Sequence, residues 1–238
     1  MKLSGYHVAI TGGSGGIGSA LATGLLEDGA MVYNLDFVKP ADESSKFISV
    51  DLSDENSVQE AFKKIEKLDA IIVAAGVQLV GSDSKIGEVT LDTWQRTIDI
   101  NLTGAFLSVK HAMPLLVKSG RGSVVLIGSP TAISMEGAGY SAYGASKAGM
   151  MGLSRIIAAD YKEDGVRSNV VVPGSMITPL IAKILEDPAK GAGLVARTPL
   201  GRLGEPRELV GIVNWLVSTD SSFATGASYA VDGGMTAR

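Results

Sequence analysis

The sequence predicts an α/β fold, a single domain built on a doubly wound parallel sheet with helices on both faces. Short β-branched, apolar runs alternate with longer helix-periodic stretches along all 238 residues, without a linker or repeat. A glycine-rich turn separates the first apolar run from the first helix. Residues suited to holding a ligand recur just past successive strands: Gly12, Asp36, Asp51, Gly76, Ser129 and Pro173. Open parallel sheets bind ligands at that edge.

The first strand is YHVAIT (6–11), and Ile17 to Leu26 restores an apolar helical pattern, giving a helix over 17–28 that closes near Gly29. Further strands are expected at 31–36, 46–50, 69–74, 122–128, 166–172 and 227–231, and further helices at 54–67, 91–118, 141–162 and 206–219. Between the first strand and helix, glycines occupy 12, 13, 15, 16 and 18 in the spacing Gly-x-x-x-Gly-x-Gly. Such a turn lets the backbone approach a pyrophosphate while the free N–H groups and dipole of the helix favour its charge. The second strand ends in Asp36, placed to accept hydrogen bonds from an adenosine ribose and to repel a 2′-phosphate. Gly15 and Phe37 beside it carry no positive charge, so the expected cofactor is NAD rather than NADP.

Tyr143 and Lys147 in YSAYGASKAG lie one helical turn apart on one face. A neighbouring cation favours a phenolate, and the pKa of a general base works best near operating pH. Tyr143 is therefore expected to ionise below the ordinary tyrosine value of about 10.

Composition fits a compact enzyme. A chain of this length buries about 70% or more of its unfolded surface, and 30 glycines suit many tight turns. A net charge of −4 without long charge runs argues against nucleic acid or anionic membranes as partners. With no cysteine and two isolated histidines, His7 and His111, no metal site is expected. The N-terminus carries no signal-peptide pattern and no apolar stretch approaches about 18 residues, which predicts a cytoplasmic protein.

Together these motifs resemble the short-chain dehydrogenase/reductases, in their single-domain, Rossmann-like branch, over essentially the whole chain. TGGSGGIG (11–18) is similar to the family's cofactor loop, which implies Gly12, Ser14, Gly16, Ile17 and Gly18 at the dinucleotide. Asp51 of VDL, followed by Leu52, matches the adenine-contacting aspartate, and Ala75 and Gly76 match the turn after the fourth strand. Asn101 in INLTGAF, Ser129 in VVLIGS, Tyr143 and Lys147 match the catalytic tetrad. PGSMITP (173–179) matches the nicotinamide-side loop, implying contacts from Pro173, Gly174, Ile177 and Thr178. GRLGEP (201–206) and VDGG (231–234) match C-terminal signatures.

Two departures stand out. Val73 occupies a position that is usually asparagine, and Ser129 lies 14 residues before Tyr143 where many members have 13, with Thr131 as the alternative. Asn101 also reads as an N-cap for LTGAFLSVKHAM.

The resemblance implies hydride transfer between NAD(H) and a secondary alcohol or ketone. Tyr143 would be acid and base, Lys147 would favour its phenolate and bind the nicotinamide ribose, Ser129 would hold the substrate oxygen, and Asn101 would anchor a proton-relay water. The alternatives are an NADPH-dependent 3-oxoacyl-carrier reductase and a catalytically silent dinucleotide-binding protein. Relatives of this length imply a homotetramer, with FATGASYAVDGGM (223–235) either a contact surface or only the last core strand. Substrate-facing segments are expected at Pro130–Gly139, after Gly76 and at Met176–Arg197; Ile133, Met135, Met176, Ile177, Leu180, Ile181, Ile184 and Leu185 make them apolar, with Gln78 polar. Glu136 is the only charge between Pro130 and Tyr140, which predicts a neutral substrate.

Overall fold

A computed structural model describes residues 2–40, 44–134 and 138–237, with the backbone alone described at Leu180, Lys183 and Ile184. Among the described residues, seven strands form one sheet, β1 (His7–Thr11), β2 (Met31–Asp36), β3 (Lys46–Ser49), β4 (Ala70–Val73), β5 (Ser123–Ile127), β6 (Arg167–Pro173) and β7 (Ser228–Val231). They lie in the order β3-β2-β1-β4-β5-β6-β7 and every pairing is parallel. Because strand side chains alternate between faces, β5 sends Val124 and Leu126 to one core and Val125 and Ile127 to the other. Helices α2 (Glu55–Phe62), α4 (Gly104–Ser119) and α5 (Ser141–Asp160) cover the first face, and α1 (Gly16–Glu27) and α8 (Val210–Val217) cover the second. Each fully buried branched side chain contributes about 1.5–3 kcal/mol, and Val73 does so here, 1% exposed where the family pattern has an amide.

Some helices depart from their expected bounds. The 54–67 helix stops at Phe62, where the bonds tighten to the three-residue pattern of Lys64 N–H to Ala61 C=O and Ile65 N–H to Phe62 C=O. The 91–118 segment is α3 (Leu91–Ile98), a π turn (Asp99–Thr103) and α4 in unbroken succession. By length and composition alone this 29-residue stretch is apolar enough to cross a membrane, but half of its most apolar window is buried in the protein, as in the core helix of a globular fold. The 206–219 helix opens as a 3-10 turn (Pro206–Leu209) before α8.

Two helices arise in a stretch expected only to face substrate, α6 (Pro179–Leu185) and α7 (Pro188–Ala196). Each starts with a proline, whose fixed φ suits a first helical residue, and the Asp187 carboxylate caps α7 by accepting from Ala189 and Lys190 N–H. Neither expected lone histidine stands free: His7 Nδ1 lies 3.3 Å from the Tyr33 hydroxyl and His111 Nε2 3.3 Å from Glu55.

Candidate active site

A cleft of about 1470 Å³ opens along the carboxyl ends of the strands. It begins at the glycine turn, where the backbone leaves no room for side chains. Gly12 has φ +70° and a Cβ there would sit 2.6 Å from Ala75 Cα, while one on Gly18 would sit 2.0 Å from the Gly12 carbonyl oxygen. Gly15 caps α1 without any side-chain bond, and no acidic residue occupies the first turn. The N–H groups at this helix end therefore remain available to an anion. Ser14, Gly16 and Ile17 line the same end of the cleft. These features fit a dinucleotide's pyrophosphate.

Asp36 stands at the tip of β2 beside them. Its carboxylate accepts from Ser14 N–H and Val38 N–H, both at 2.9 Å, which holds it at the cleft rim. Asn34, buried two residues earlier, donates to Ser14 Oγ, and Ser14 Oγ donates to the Val38 carbonyl, so the glycine turn and the Asp36 loop are tied together. Asp51 lies after β3, its carboxyl held below the usual range by hydrogen bonds from the Ser53 hydroxyl and N–H. Leu52 packs 3.1 Å from where a Cβ of Gly104 would be.

The reactive groups gather past β5. Ser129 ends the extended chain and caps a 3-10 turn (Pro130–Ala132), with Thr131 Oγ1 donating to Ser129 Oγ at 3.1 Å. Tyr143 is half-buried in the first turn of α5. Lys147 is 4% exposed, with its Nζ donating to the Ile127 carbonyl at 2.8 Å and lying 5.8 Å from the Tyr143 ring centre. Burial lowers the Lys147 pKa to about 8. Burial also raises the phenol of Tyr143, and a hydrogen bond from Ser129 recovers only part of that. This corrects the expected direction: in the protein alone, the cost of burying a phenolate outweighs the pull of an ammonium turned toward Ile127.

Asn101 does not serve as the expected N-cap. It sits inside the π turn with helical neighbours on each side, so it caps nothing. The extra residue of the turn aims its amide across to the loop after β4, accepting from Val77 N–H at 2.7 Å and donating to the Val77 carbonyl at 2.9 Å. It also donates to Ser146 Oγ, which in turn donates to the Tyr143 carbonyl. Asn101 is not among the residues lining the cleft, and neither is Ile177, which is 50% exposed with its N–H bonded to Gly204. Ala75, Gly76, Pro173, Gly174 and Thr178 do line it. A Cβ on Gly174 would sit 2.7 Å from Asp232 Cα, so the VDGG segment backs the Pro173 turn.

Three contributors escaped the sequence. Asp83, buried at 7% exposure, accepts from Ala142 N–H and Tyr143 N–H, clasping the start of α5 from sixty residues away. Lys190 and Arg197 reach the cleft from α7 and the residue after it. A lone aspartate in a loop has no local signature. The two cations depend on helices that were not foreseen, and they change the expected neutral wall. Met135 and Glu136 lie outside the described residues, as do the side chains of Leu180 and Ile184.

Comparisons with known proteins agree with this arrangement. A family model described as enoyl-(acyl carrier protein) reductase matches residues 12–236. A cis-4-hydroxycyclohexanecarboxylate dehydrogenase from Sinomonas cyclohexanicum is 35% identical, covering 96% of this chain and 95% of its own. A 2,5-dichloro-2,5-cyclohexadiene-1,4-diol dehydrogenase from Sphingobium indicum is 31% identical over 98% of this chain and 97% of its own. A protein described as a 2-deoxy-D-gluconate 3-dehydrogenase from Agrobacterium tumefaciens, solved with bound NADP, superposes with a TM-score of 0.91 at 27% identity, covering 100% of this chain and 98% of its own. With its glycine turn, its Tyr143–Lys147 pair and this similarity along its whole length, the chain belongs to the short-chain dehydrogenase/reductase family.

Proposed function

We propose that this oxidoreductase transfers hydride between NAD(H) and a secondary alcohol or its ketone. The observation that carries the proposal is the convergence of Ser129, Tyr143 and Lys147 on one wall of a cleft whose other end is the uncapped N-terminus of α1. NAD would be held by the glycine turn, Asp36, Asp51 and the Pro173–Thr178 turn, and when bound supplies the hydride acceptor. The protein's part is proton handling and orientation. The Tyr143 phenol exchanges the proton of the substrate oxygen. The Ser129 hydroxyl, already bonded to the phenol, orients that oxygen and stabilises charge developing on it, an effect worth about 3 kcal/mol in comparable sites. Lys147, with a pKa of about 8, is mostly charged at neutral pH and favours the phenolate. Asn101 holds the loop after Gly76 against α5.

The reading of NAD over NADP is supported by the Asp36 carboxylate, held at the cleft rim by Ser14 N–H, whose charge would repel a 2′-phosphate there, although the Agrobacterium neighbour was solved with NADP bound. That same carboxylate stands against the NADPH-dependent acyl-carrier reading. The two relatives named for ring alcohols make cyclic secondary alcohols the first substrates to try. The test is NADH formation from cyclohexanol and cis-4-hydroxycyclohexanecarboxylate, run in parallel with NADP. Turnover with NAD is expected; turnover with neither cofactor on any secondary alcohol would refute the proposal.

A further inference from the structure

Ser129 is fixed by the turn that it caps. The proline after it confines the preceding residue to extended backbone, and Ser129 has φ −160° and ψ 151°. The turn closes on itself, with the Ser129 carbonyl accepting from Ala132 N–H at 3.1 Å and the Pro130 carbonyl from Ile133 N–H at 3.0 Å. It also packs on α5, because the Thr131 carbonyl lies 3.7 Å from where a Cβ of Gly144 would be, one residue beyond Tyr143. Ser129, Thr131 and Tyr143 all line the cleft.

A hydroxyl has one proton to donate and two lone pairs that accept. Thr131 fills both lone pairs of Ser129 Oγ, its Oγ1 donating at 3.1 Å and its N–H at 3.4 Å. The Oγ1 bond is the shorter of the two. Among the described residues, Ser129 is the hydrogen-bond partner of the Thr131 hydroxyl. What remains to Ser129, 7% exposed, is its proton, and that proton serves the Tyr143 phenol. A hydroxyl that accepts is also the better donor, since successive hydrogen bonds polarise one another by about 10–30% per bond.

Resting on the dehydrogenase reading above, we propose that Thr131 is a positioning residue for the reaction: it occupies the accepting side of Ser129 Oγ, so that the Ser129 proton points to the Tyr143 oxygen and to a substrate oxygen beside it. Ser129 then acts as a donor alone. In oxidation the proton leaving the substrate hydroxyl finds no free lone pair on Ser129. It passes to the Tyr143 phenolate, making the phenol, while the hydride on the same carbon leaves for the cofactor.

The test reads Tyr143 itself. Its ionisation is followed by NMR of isotope-labelled tyrosine in the NADH complex, the ring signal being assigned by its loss in Tyr143→Phe. Thr131→Val keeps the branched shape and loses the donor, so the Tyr143 midpoint should rise by about half a unit or more. Thr131→Ser, which keeps a hydroxyl, should restore most of the shift. With NAD and cyclohexanol, Thr131→Val should lower kcat by about threefold or more at unchanged NADH affinity. Added to Ser129→Ala, it should cost nothing further. An unchanged midpoint in Thr131→Val would overturn the proposal, even if its melting temperature fell, because a merely structural role moves stability and not the ionisation. So would an equal loss of rate with and without Ser129, which would place Thr131 on the substrate directly. If the midpoint shifts as expected but wild type oxidises no alcohol, the dehydrogenase reading fails and the chain from Thr131 through Ser129 to Tyr143 stands.

Discussion

Lys147 should make the fold less stable at neutral pH, and a pH series can measure by how much. Its ammonium is 4% exposed and its described partners are the Ile127 carbonyl and Met150 Sδ. Burial depresses its pKa from 10.5 to about 8. The folded protein therefore releases this proton near pH 8, whereas the unfolded chain keeps it until about 10.5. Between those values the unfolded state holds more protons, so stability rises with pH. At 1.36 kcal/mol per unit the window is worth about 3 kcal/mol, of which about 2.5 kcal/mol falls between pH 7 and pH 10. Tyr143 works in the opposite sense: its raised pKa contributes stability that is lost as pH climbs past the ordinary tyrosine value, so the series stops at about pH 10.

Lys147→Met keeps the length of the side chain and removes its charge. It also leaves the Ile127 carbonyl without this donor, at a cost of about 1–3 kcal/mol that does not vary with pH. Urea unfolding of both proteins, at one protein concentration across this range, isolates the pH-dependent part. The difference in unfolding free energy should shift by about 2.5 kcal/mol against the variant from pH 7 to pH 10. Parallel profiles would show that Lys147 does not titrate in this window, and the buried-ammonium explanation would fail.

Asp36→Ala should weaken NAD, because both the ribose acceptor and the bond to Ser14 N–H are lost, and should raise the NADP-to-NAD ratio of kcat/KM by about 10-fold or more. A wild type equally efficient with both cofactors would contradict the assignment. Asp83→Ala removes the clasp on Ala142 and Tyr143 N–H; kcat should fall by about 10-fold with NADH affinity unchanged, at a stability cost of about 1 kcal/mol. Asp83→Asn, which keeps an acceptor oxygen, should recover part of the rate, and equal rates for both variants would count against a positioning role.

The sheet was legible because its central strands are buried on both faces. Runs such as VVLI (124–127) and VVV (170–172) are apolar whichever face they serve, and glycine turns such as Gly29 and Gly120 (φ +92° and +68°) mark where helices end. The chemistry was legible for a different reason: glycine crowding and the Tyr143–Lys147 spacing are local patterns. What remained hidden depends on distant or subtle geometry. The π turn at Asn101 requires one extra residue within a helix whose periodicity looks continuous, and it converts an expected cap into a brace on Val77. Asp83 acts on a helix sixty residues away. Lys190 and Arg197 reach the cleft only because two short proline-started helices fold over it. The direction of the Tyr143 shift depends on burial, which spacing alone does not report.

The central claim is that Tyr143 transfers the substrate proton, and Tyr143→Phe tests it most directly. The ring and its packing are kept while the hydroxyl is lost. NADH affinity, measured by fluorescence titration, should stay at the wild-type value. Alcohol oxidation should fall by about 100- to 10,000-fold, the range that general acid–base catalysis supplies. Near-normal turnover by this variant, with NADH still bound, would contradict the site described above.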